Sequence, residues 1–434
     1  MNGFQFKRLP LMQPAIRIPV LACALAFFAA GQGLPPGILL LARVKAHVKQ
    51  ELARLPDCSC LETVRREFRP AGGKLRPLDI VRLEVLYSEG KELYAPPGER
   101  HFTAEHPSAF SGSGTIGDGY FALFLSTIVS EGRVSYEYKG EEDVAGRHLA
   151  RYDYRIPVLL SGQTINMVEG SGTVGSAGTF WADPATFDIV RFEAYDTDIP
   201  PWLPIAESTH SVDYARTALG ESQFLLPRTA TTRFVKLSGE ESFNRTEFTQ
   251  CHLYGAESSI NFGMREERPQ FATTTASETE SRPLPVFPII TRLVSPITRN
   301  TAVGSQIEAT VAGNVPRKGK VLIPDGSPVR GRVRRLEWNE EKGGYYIVGL
   351  EFTDVEAGGI RYRFFADLQN LDRVPGVDFT LFTHTTDKRG GQSTEILSLP
   401  ELPGVGVFFV RGQKLELPKG FRMEWKTRPQ PPEK

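Results

Sequence analysis

Leu41, Val44, Val48, Leu52 and Leu55 recur at spacings of three and four, with Lys45, Lys49, Gln50 and Arg54 between them. This pattern after Pro35-Pro36-Gly37 predicts one amphipathic helix, ended by Pro56. Its apolar stripe has to be buried, and covering a sheet face does that. From about residue 60 to 262 the period changes to two. Val81, Leu83, Val85 and Tyr87 alternate with Arg82, Glu84, Leu86 and Ser88, and Ser88-Glu89-Gly90 turns into Glu92-Leu93-Tyr94, which reads as a β-hairpin. Further strand-like runs fall at 133–138, 148–156, 179–181, 188–194, 210–214, 228–237 and 244–253, separated by Gly, Asp-Pro and Asn/Ser-rich turns. Regular short strands of this kind form an antiparallel sheet or barrel. Residues 120–129, with Phe121, Leu123, Phe124, Leu125 and Ile128, are the second expected helix.

Between residues 264 and 288 the chain becomes Glu-Glu-Arg-Pro, then a Thr/Ser/Glu run, then proline-rich, with few apolar groups to repay ordering, so this stretch is expected to be a flexible linker. It divides a first domain over 34–263 from a second β-rich domain over 289–428, and 429–434 is expected to be a disordered tail. Within the second domain, Pro324 fixes φ and Asp325-Gly326 supplies a tight turn between two strands. Val321, Ile323, Val329 and Val333 are expected to form the buried face there.

The amino terminus changes the picture of location. Lys7, Arg8 and Arg17 precede an uncharged run from Ile18 to Ala30, which is a charged region followed by an apolar core of signal-peptide length. A bilayer span needs about 20 apolar residues, and Gln32 and Pro35-Pro36 interrupt the stretch. Ala29-Ala30-Gly31 offers small residues for cleavage, so residues 1–33 are read as a signal peptide processed near residue 31, and the protein as exported, periplasmic or envelope-associated. Val20-Leu21-Ala22-Cys23 has the outline of a lipoprotein box, but apolar or small residues continue after Cys23, where such a box ends the apolar core. A membrane anchor or lipidation is therefore the less favoured reading. Besides Cys23, the thiols are Cys58, Cys60 and Cys251. In an oxidising compartment one bridge with one thiol left over is the simplest arithmetic, and Cys60 with Cys251 is the expected pair. A Cys-x-Cys metal site is the rival, but no further Cys or His follows at zinc-ligand spacing.

The 434 residues carry 51 Lys+Arg against 51 Asp+Glu, so no global basic field points to nucleic acid. The mean hydropathy of −0.24 excludes a polytopic membrane protein. Gly112-Ser-Gly114-Thr-Ile-Gly117 matches a dinucleotide-binding pattern, yet no buried parallel strand precedes it, so a loop is expected. His101 and His106 flank Glu105 at a spacing unsuited to a helical zinc motif, and Pro107 discourages a helix, which leaves surface histidines. No nucleophile elbow occurs and no acid pair stands out, so no catalytic residue, metal ligand or cofactor is assigned. Arg330-Gly-Arg-Val-Arg334 with Tyr346–Phe352 resembles elements of PilZ domains, which bind a cyclic dinucleotide. The family's Asp-x-Ser-x-x-Gly element is missing, and alternating arginines on a solvated strand face account for the same residues.

Three further resemblances rest on quoted segments. Gly178-Thr-Phe-Trp-Ala-Asp-Pro184, Asp188-Ile-Val-Arg-Phe-Glu193 and Phe224-Leu-Leu-Pro227 are similar to segments of the LolA/RseB-like lipoprotein-carrier superfamily. That resemblance covers about half the chain and implies an antiparallel half-barrel capped by helices, with an apolar concavity for acyl chains or lipidated partners. Cys60-Leu-Glu-Thr63, Arg82–Tyr87 and Gly90–Tyr94 resemble segments of exported proteins of soil bacteria such as acidobacteria, a group with no established activity. Gly304–Val311 and Gly319–Val333 resemble the small β-barrel of TrbI-type scaffold proteins of conjugative secretion channels. The expected fold class is thus mainly β with a few helices, a helix-capped antiparallel half-barrel plus a second small β-barrel.

The function expected from this reading is noncatalytic binding of an apolar ligand, lipid or lipidated partner in the concavity, lined by Val81, Leu83, Val85, Phe180, Ile189 and Phe192. An ordinary filled core would use the same residues. The alternatives are a structural or assembly module meeting another envelope protein, and, third, a hydrolase of envelope polymers.

Overall fold

The computed structural model describes residues 34–99, 101–102, 106–110, 114–167, 169–255, 282–340, 343–379, 381–386, 392–397 and 404–429. The expected signal peptide, residues 264–281 of the expected linker and the tail from residue 430 lie outside them.

Helix α1 (Pro36–Arg54) opens with proline in its first turn, where no N–H is needed, and closes with Arg54 at the end that favours a cation. Its stripe buries Val44 and Val48 against the sheet core. The strands of the first domain are β1 (Cys58–Arg69), β2 (Arg76–Ser88), β3 (Lys91–Ala95), β4 (Ser135–Val144), β5 (Arg147–Ile156), β6 (Gln163–Met167), β7 (Gly170–Ala182), β8 (Ile189–Thr197), β9 (Ile205–Leu219), β10 (Ser222–Lys236) and β11 (Glu241–Leu253). They form one 11-stranded sheet in the order β3-β2-β1-β11-β10-β9-β8-β7-β5-β4, with β6 beside β7. The pairings of β1 with β11 and β2, and the meander from β7 to β11, are antiparallel.

The expected 120–129 helix is shorter than the apolar run: α2 spans Leu123–Val129, and Tyr120–Ala122 form the turn that enters it. A one-turn helix, α3 (Val158–Ser161), follows β5. Polar groups tie α1 to the far strands. Arg216 donates to Glu51 Oε2 at 2.9 Å and to Asp188 Oδ2 at 2.9 Å, and His47 Nε2 lies 2.8 Å from Asp188 Oδ1. Burial works against ionised Asp188, but the Arg216 and His47 contacts outweigh it and hold the carboxyl below its ordinary range.

Because β1 lies beside β11, the two ends of the domain are neighbours, and Cys60 is disulfide-bonded to Cys251 there, with Cα atoms 4.1 Å apart. Among the described residues Cys58 is the free, buried thiol, and burial followed by the Asp57 charge pushes it up to about 12.

The second domain is the small barrel. Its main sheet runs through Arg282–Pro283, Ile360–Arg363, Tyr345–Ala357, Pro328–Asn339, Gln306–Val311, Pro288–Leu293, Arg422–Arg428 and Phe365–Leu371. Only Phe364 separates Ile360–Arg363, second from one end of this order, from Phe365–Leu371 at the other end, and its N–H donates to Thr353 O at 2.9 Å, so the sheet nearly closes. Of the residues expected in the linker, Arg282–Pro283 pair with Tyr362–Arg363, and Leu284 is fully buried. Ile323, Val329 and Val333 are buried as expected, but Val321 is 52% exposed, because a register shift in its short hairpin, which stands outside the main sheet, interrupts the alternation with Ile323.

The domains meet edge to edge. Arg82 N–H donates to Val303 O at 2.8 Å and Val303 N–H donates to Ile80 O at 2.7 Å, forming a parallel bridge between Val81 and Val303. Gly304 has φ +88°, and a Cβ there would sit 2.2 Å from Arg82 O, so this contact requires glycine. The arginines expected on a solvated strand face are divided by the same junction. Arg330 reaches Asp354 and Glu356 outside, whereas Arg332 is only 9% exposed and pairs with Glu99 of the first domain.

Candidate functional site

Side chains alternate across a strand, so β1 sends Cys60, Glu62, Val64 and Arg66 to one face. Val64 stands opposite Val81, Glu62 lies between Leu83 and Phe248, and Arg66 faces Asp79 in the interior with its Nε 2.6 Å from Asp79 Oδ1. This is the concave face of the first domain.

The six residues expected to line the concavity are all buried in one apolar cluster, and the sheet holds them as two separate groups. Val81, Leu83 and Val85 lie on β2, while Phe180, Ile189 and Phe192 lie on β7 and β8, with Phe180 opposite Phe192. A row of rings spans the gap. Tyr87 meets Phe121 at 6.1 Å, Phe121 meets Phe248 at 5.7 Å, Tyr120 meets Phe248 at 5.6 Å, Phe124 meets Phe192 at 5.4 Å, and Phe180 meets Tyr152 at 5.2 Å. Three of these rings, those of Tyr120, Phe121 and Phe124, come from α2 and its entry turn, so α2 is the plug of the concavity.

The open volume lies at the edge of that plug. A cleft of about 550 Å³ runs between the end of α1, the β2–β3 hairpin and α2, with Leu52, Tyr87, Ala122 and Leu123 among its walls. Leu123 is 57% exposed although it begins a helix that otherwise packs inward. At the base of the cleft, Glu92 holds the α2 entry turn. Its Oε1 accepts Phe121 N–H at 2.7 Å, and its Oε2 accepts Gly119 N–H at 2.8 Å and the Tyr94 hydroxyl at 2.6 Å. Burial raises the Glu92 carboxyl above its ordinary value, although these three donors oppose the rise.

Glu62 is 0% exposed, and neither of its carboxylate oxygens has a hydrogen-bond partner among the described residues. Burial first, then the neighbouring Glu92 and Asp118 charges, push it well above the carboxylate range. Glu62 is thus a buried carboxyl whose hydrogen-bonding capacity is unused among the described residues, next to Glu92 and Asp118, which line the cleft.

Alternation from Cys60 through Val64 already places Glu62 on the inner face. Glu92 could not be found so directly, because its role depends on a turn that returns from 27 residues further along the chain.

Of the glycine pattern, residues 114–117 form a covering loop as expected, and Gly112 and Ser113 lie outside the described residues. Asn244 Nδ2 donates to Thr115 O at 2.6 Å, and a Cβ at Gly117 would lie 2.0 Å from the Tyr120 hydroxyl, so that loop can approach the interior only as glycine. His101 and His106 are exposed, and His106 Nδ1 lies 3.0 Å from Asp118 Oδ2. Among the described residues, no group of three or more His, Cys, Asp or Glu could hold a metal ion, and no helix is long and apolar enough to cross a membrane.

No protein-family model matches the chain, and no curated protein matches it. Similar solved structures include an outer membrane lipoprotein-sorting protein domain from Vibrio parahaemolyticus, with a TM-score of 0.28 and 14% identity over 50% of this chain and 95% of its own. A DUF1329 family protein from Desulfovibrio piger gives a TM-score of 0.28 and 14% identity over 51% of this chain and 95% of its own. A LolA superfamily protein from Nitrosomonas europaea gives a TM-score of 0.24 and 10% identity over 50% of this chain and 94% of its own.

Proposed function

We propose that this chain is an exported, noncatalytic binding protein that takes the apolar chain of a lipid, or of a lipidated partner, into the cleft beside α2. The observation that carries the reading is the cleft of about 550 Å³, walled by Leu52, Tyr87, Ala122 and Leu123, whose lining residues Glu92 and Asp118 are charge neighbours of the buried Glu62. Its size falls within the roughly 300–1,000 Å³ typical of small-molecule sites. The bridged Cys60 and Cys251 agree with an oxidising compartment.

Deeper entry follows from the plug. Helix α2 has seven residues and no side-chain cap, and Gly114 and Gly119, both at positive φ, precede it. Lifting α2 withdraws Phe121 and Phe124, and then Val81, Leu83, Val85, Phe180, Ile189 and Phe192 become the lining of an open half-barrel. The protonated Glu62 would meet the polar end of the ligand, and the second domain would remain free to dock elsewhere.

Titration with 11-(dansylamino)undecanoic acid tests this reading. Saturable binding is expected, weakened tenfold or more in Leu123→Arg and in Ala122→Trp, and unchanged in Leu159→Arg on the distant α3. Absence of saturation, or equal affinity in all three variants, contradicts the proposal.

A further inference from the structure

A second open volume lies where the domains meet. A groove of about 620 Å³ is bordered by the 74–80 segment of the first domain and by Arg299, Asn300, Trp338, Tyr346 and Gln413 of the second. Beside it, a recess of about 250 Å³ runs in between Phe68, Leu78, Trp338 and Ile347. Arg76, Pro77, Leu78, Trp338 and Glu340 line both, so the two volumes share one wall. The Arg76–Glu340 ion pair, at 2.6 Å, crosses from one domain to the other at that wall.

Three observations define what would fit. First, Lys74, Arg76 and Arg299 are matched by Asp79, Glu337 and Glu340, so the lining has no formal net charge. Nothing here selects a polyanion or a polycation.

Second, the hydrogen-bonding capacity is unspent. Glu337 is 4% exposed, its Oε2 accepts Arg335 Nη2 at 2.9 Å, yet its Oε1 has no partner among the described residues. Arg335 Nε beside it is likewise buried and unpartnered among them. The exposed side-chain amides of Asn300 and Gln413 make no hydrogen bond among the described residues either.

Third, an aromatic platform stands among these groups. Trp338 is half-buried, braced by Tyr346 at 4.7 Å, and Gly344 lies under its ring, where a Cβ would come within 2.2 Å.

A neutral ligand that offers many paired donors and acceptors together with a flat C–H face is a sugar. A pyranose stacks its axial hydrogens on an aromatic ring, while its hydroxyls both donate and accept, which suits planar amide, guanidinium and carboxylate groups. A purely apolar ligand would leave Glu337 Oε1, on the wall of the recess, unpaired, at continued cost.

From this geometry we propose that the interdomain groove and its recess bind a neutral oligosaccharide, with one ring on Trp338 and its hydroxyls reaching Asn300 and Gln413 in the groove and Glu337 on the recess wall. The proposal stands independently of the lipid cleft, whose walls share no residue with the groove.

The test is calorimetric titration of the full chain with maltotriose, cellotriose and N,N′,N″-triacetylchitotriose, with a hyaluronan tetrasaccharide as the anionic comparison. At least one neutral trisaccharide is expected to bind saturably, and Trp338→Ala to weaken it tenfold or more. The double variant Asn300→Ala/Gln413→Ala, confined to exposed side chains, is expected to weaken it by a similar factor while leaving the thermal midpoint and dansyl fatty-acid binding unchanged. Failure of all three neutral sugars to bind, binding of the anionic sugar alone, or unaltered affinity in the double variant overturns the proposal.

Discussion

Replacing Glu62 by Met should make the protein more stable, and increasingly so as pH rises. Glu62 is fully buried between Leu83 and Phe248, and neither oxygen is hydrogen-bonded among the described residues. Leaving such a group unsatisfied costs about 1–3 kcal/mol, which an unbranched apolar side chain of similar length recovers. The pH dependence follows from the raised carboxyl. Above the ordinary value of 4.5 the unfolded chain gives up this proton while the native state keeps it. The native state then binds more protons, so stability falls as pH rises, by at most about 1.4 kcal/mol per pH unit for one group, until the folded value is passed. Glu62→Met removes that slope. Urea unfolding at about pH 4.5 and about pH 8 is the assay, and the variant's advantage should be about 1–3 kcal/mol at the lower pH and larger by at least about 1 kcal/mol at the higher. An advantage that is constant with pH, or a variant less stable than the parent at the higher pH, would refute the reasoning.

Glu92→Ala should free the α2 entry turn by removing three accepted hydrogen bonds, and hydrogen exchange should rise over residues 114–129 while the β7–β8 pairing stays protected. Reduction, or Cys60→Ser with Cys251→Ser, opens a link between residues 191 apart and should cost about 2–5 kcal/mol, read as a lower thermal midpoint. Cys58, buried and with its thiol pushed up to about 12, should resist an aromatic disulfide reagent in the folded protein and react at once in urea. Gly304→Val places a side chain against Arg82 O and should loosen the junction, seen as a larger radius of gyration in solution scattering with both sheets intact by circular dichroism.

Much of the first domain was legible because its signals are local. The three-and-four spacing of Leu41, Val44, Val48 and Leu52 and the alternation over Val81–Tyr87 need no knowledge of the rest of the chain, and α1 and the β2–β3 hairpin follow from them. That Cys58 and Cys60 stand too near each other in one strand pointed to a bridge from one of them to Cys251, but the choice of Cys60 over Cys58 was a preference that only the structure settles. The site was less legible. Apolar residues on an inner face read the same whether they line a void or a core. Only the return of Tyr120, Phe121 and Phe124 across the sheet shows that α2 occupies the middle and leaves an opening at its edge. Arg332 was misplaced for a related reason: alternation sets which face a residue is on, but not whether Glu99 from another domain covers that face. Val321 shares its hairpin strand with buried Ile323 and still stands in solvent, and a register shift between the pairings of these two residues interrupts the alternation that placed them on one face.

The binding claim is tested most directly by photolabelling the full chain with a diazirine-bearing palmitate and mapping the adducts by mass spectrometry. Saturable labelling confined to peptides containing Leu52, Tyr87, Ala122 or Leu123, and competed away by unlabelled palmitate, is the predicted result. Labelling that does not saturate, or that maps to surfaces away from α1, α2 and the β2–β3 hairpin, would contradict it.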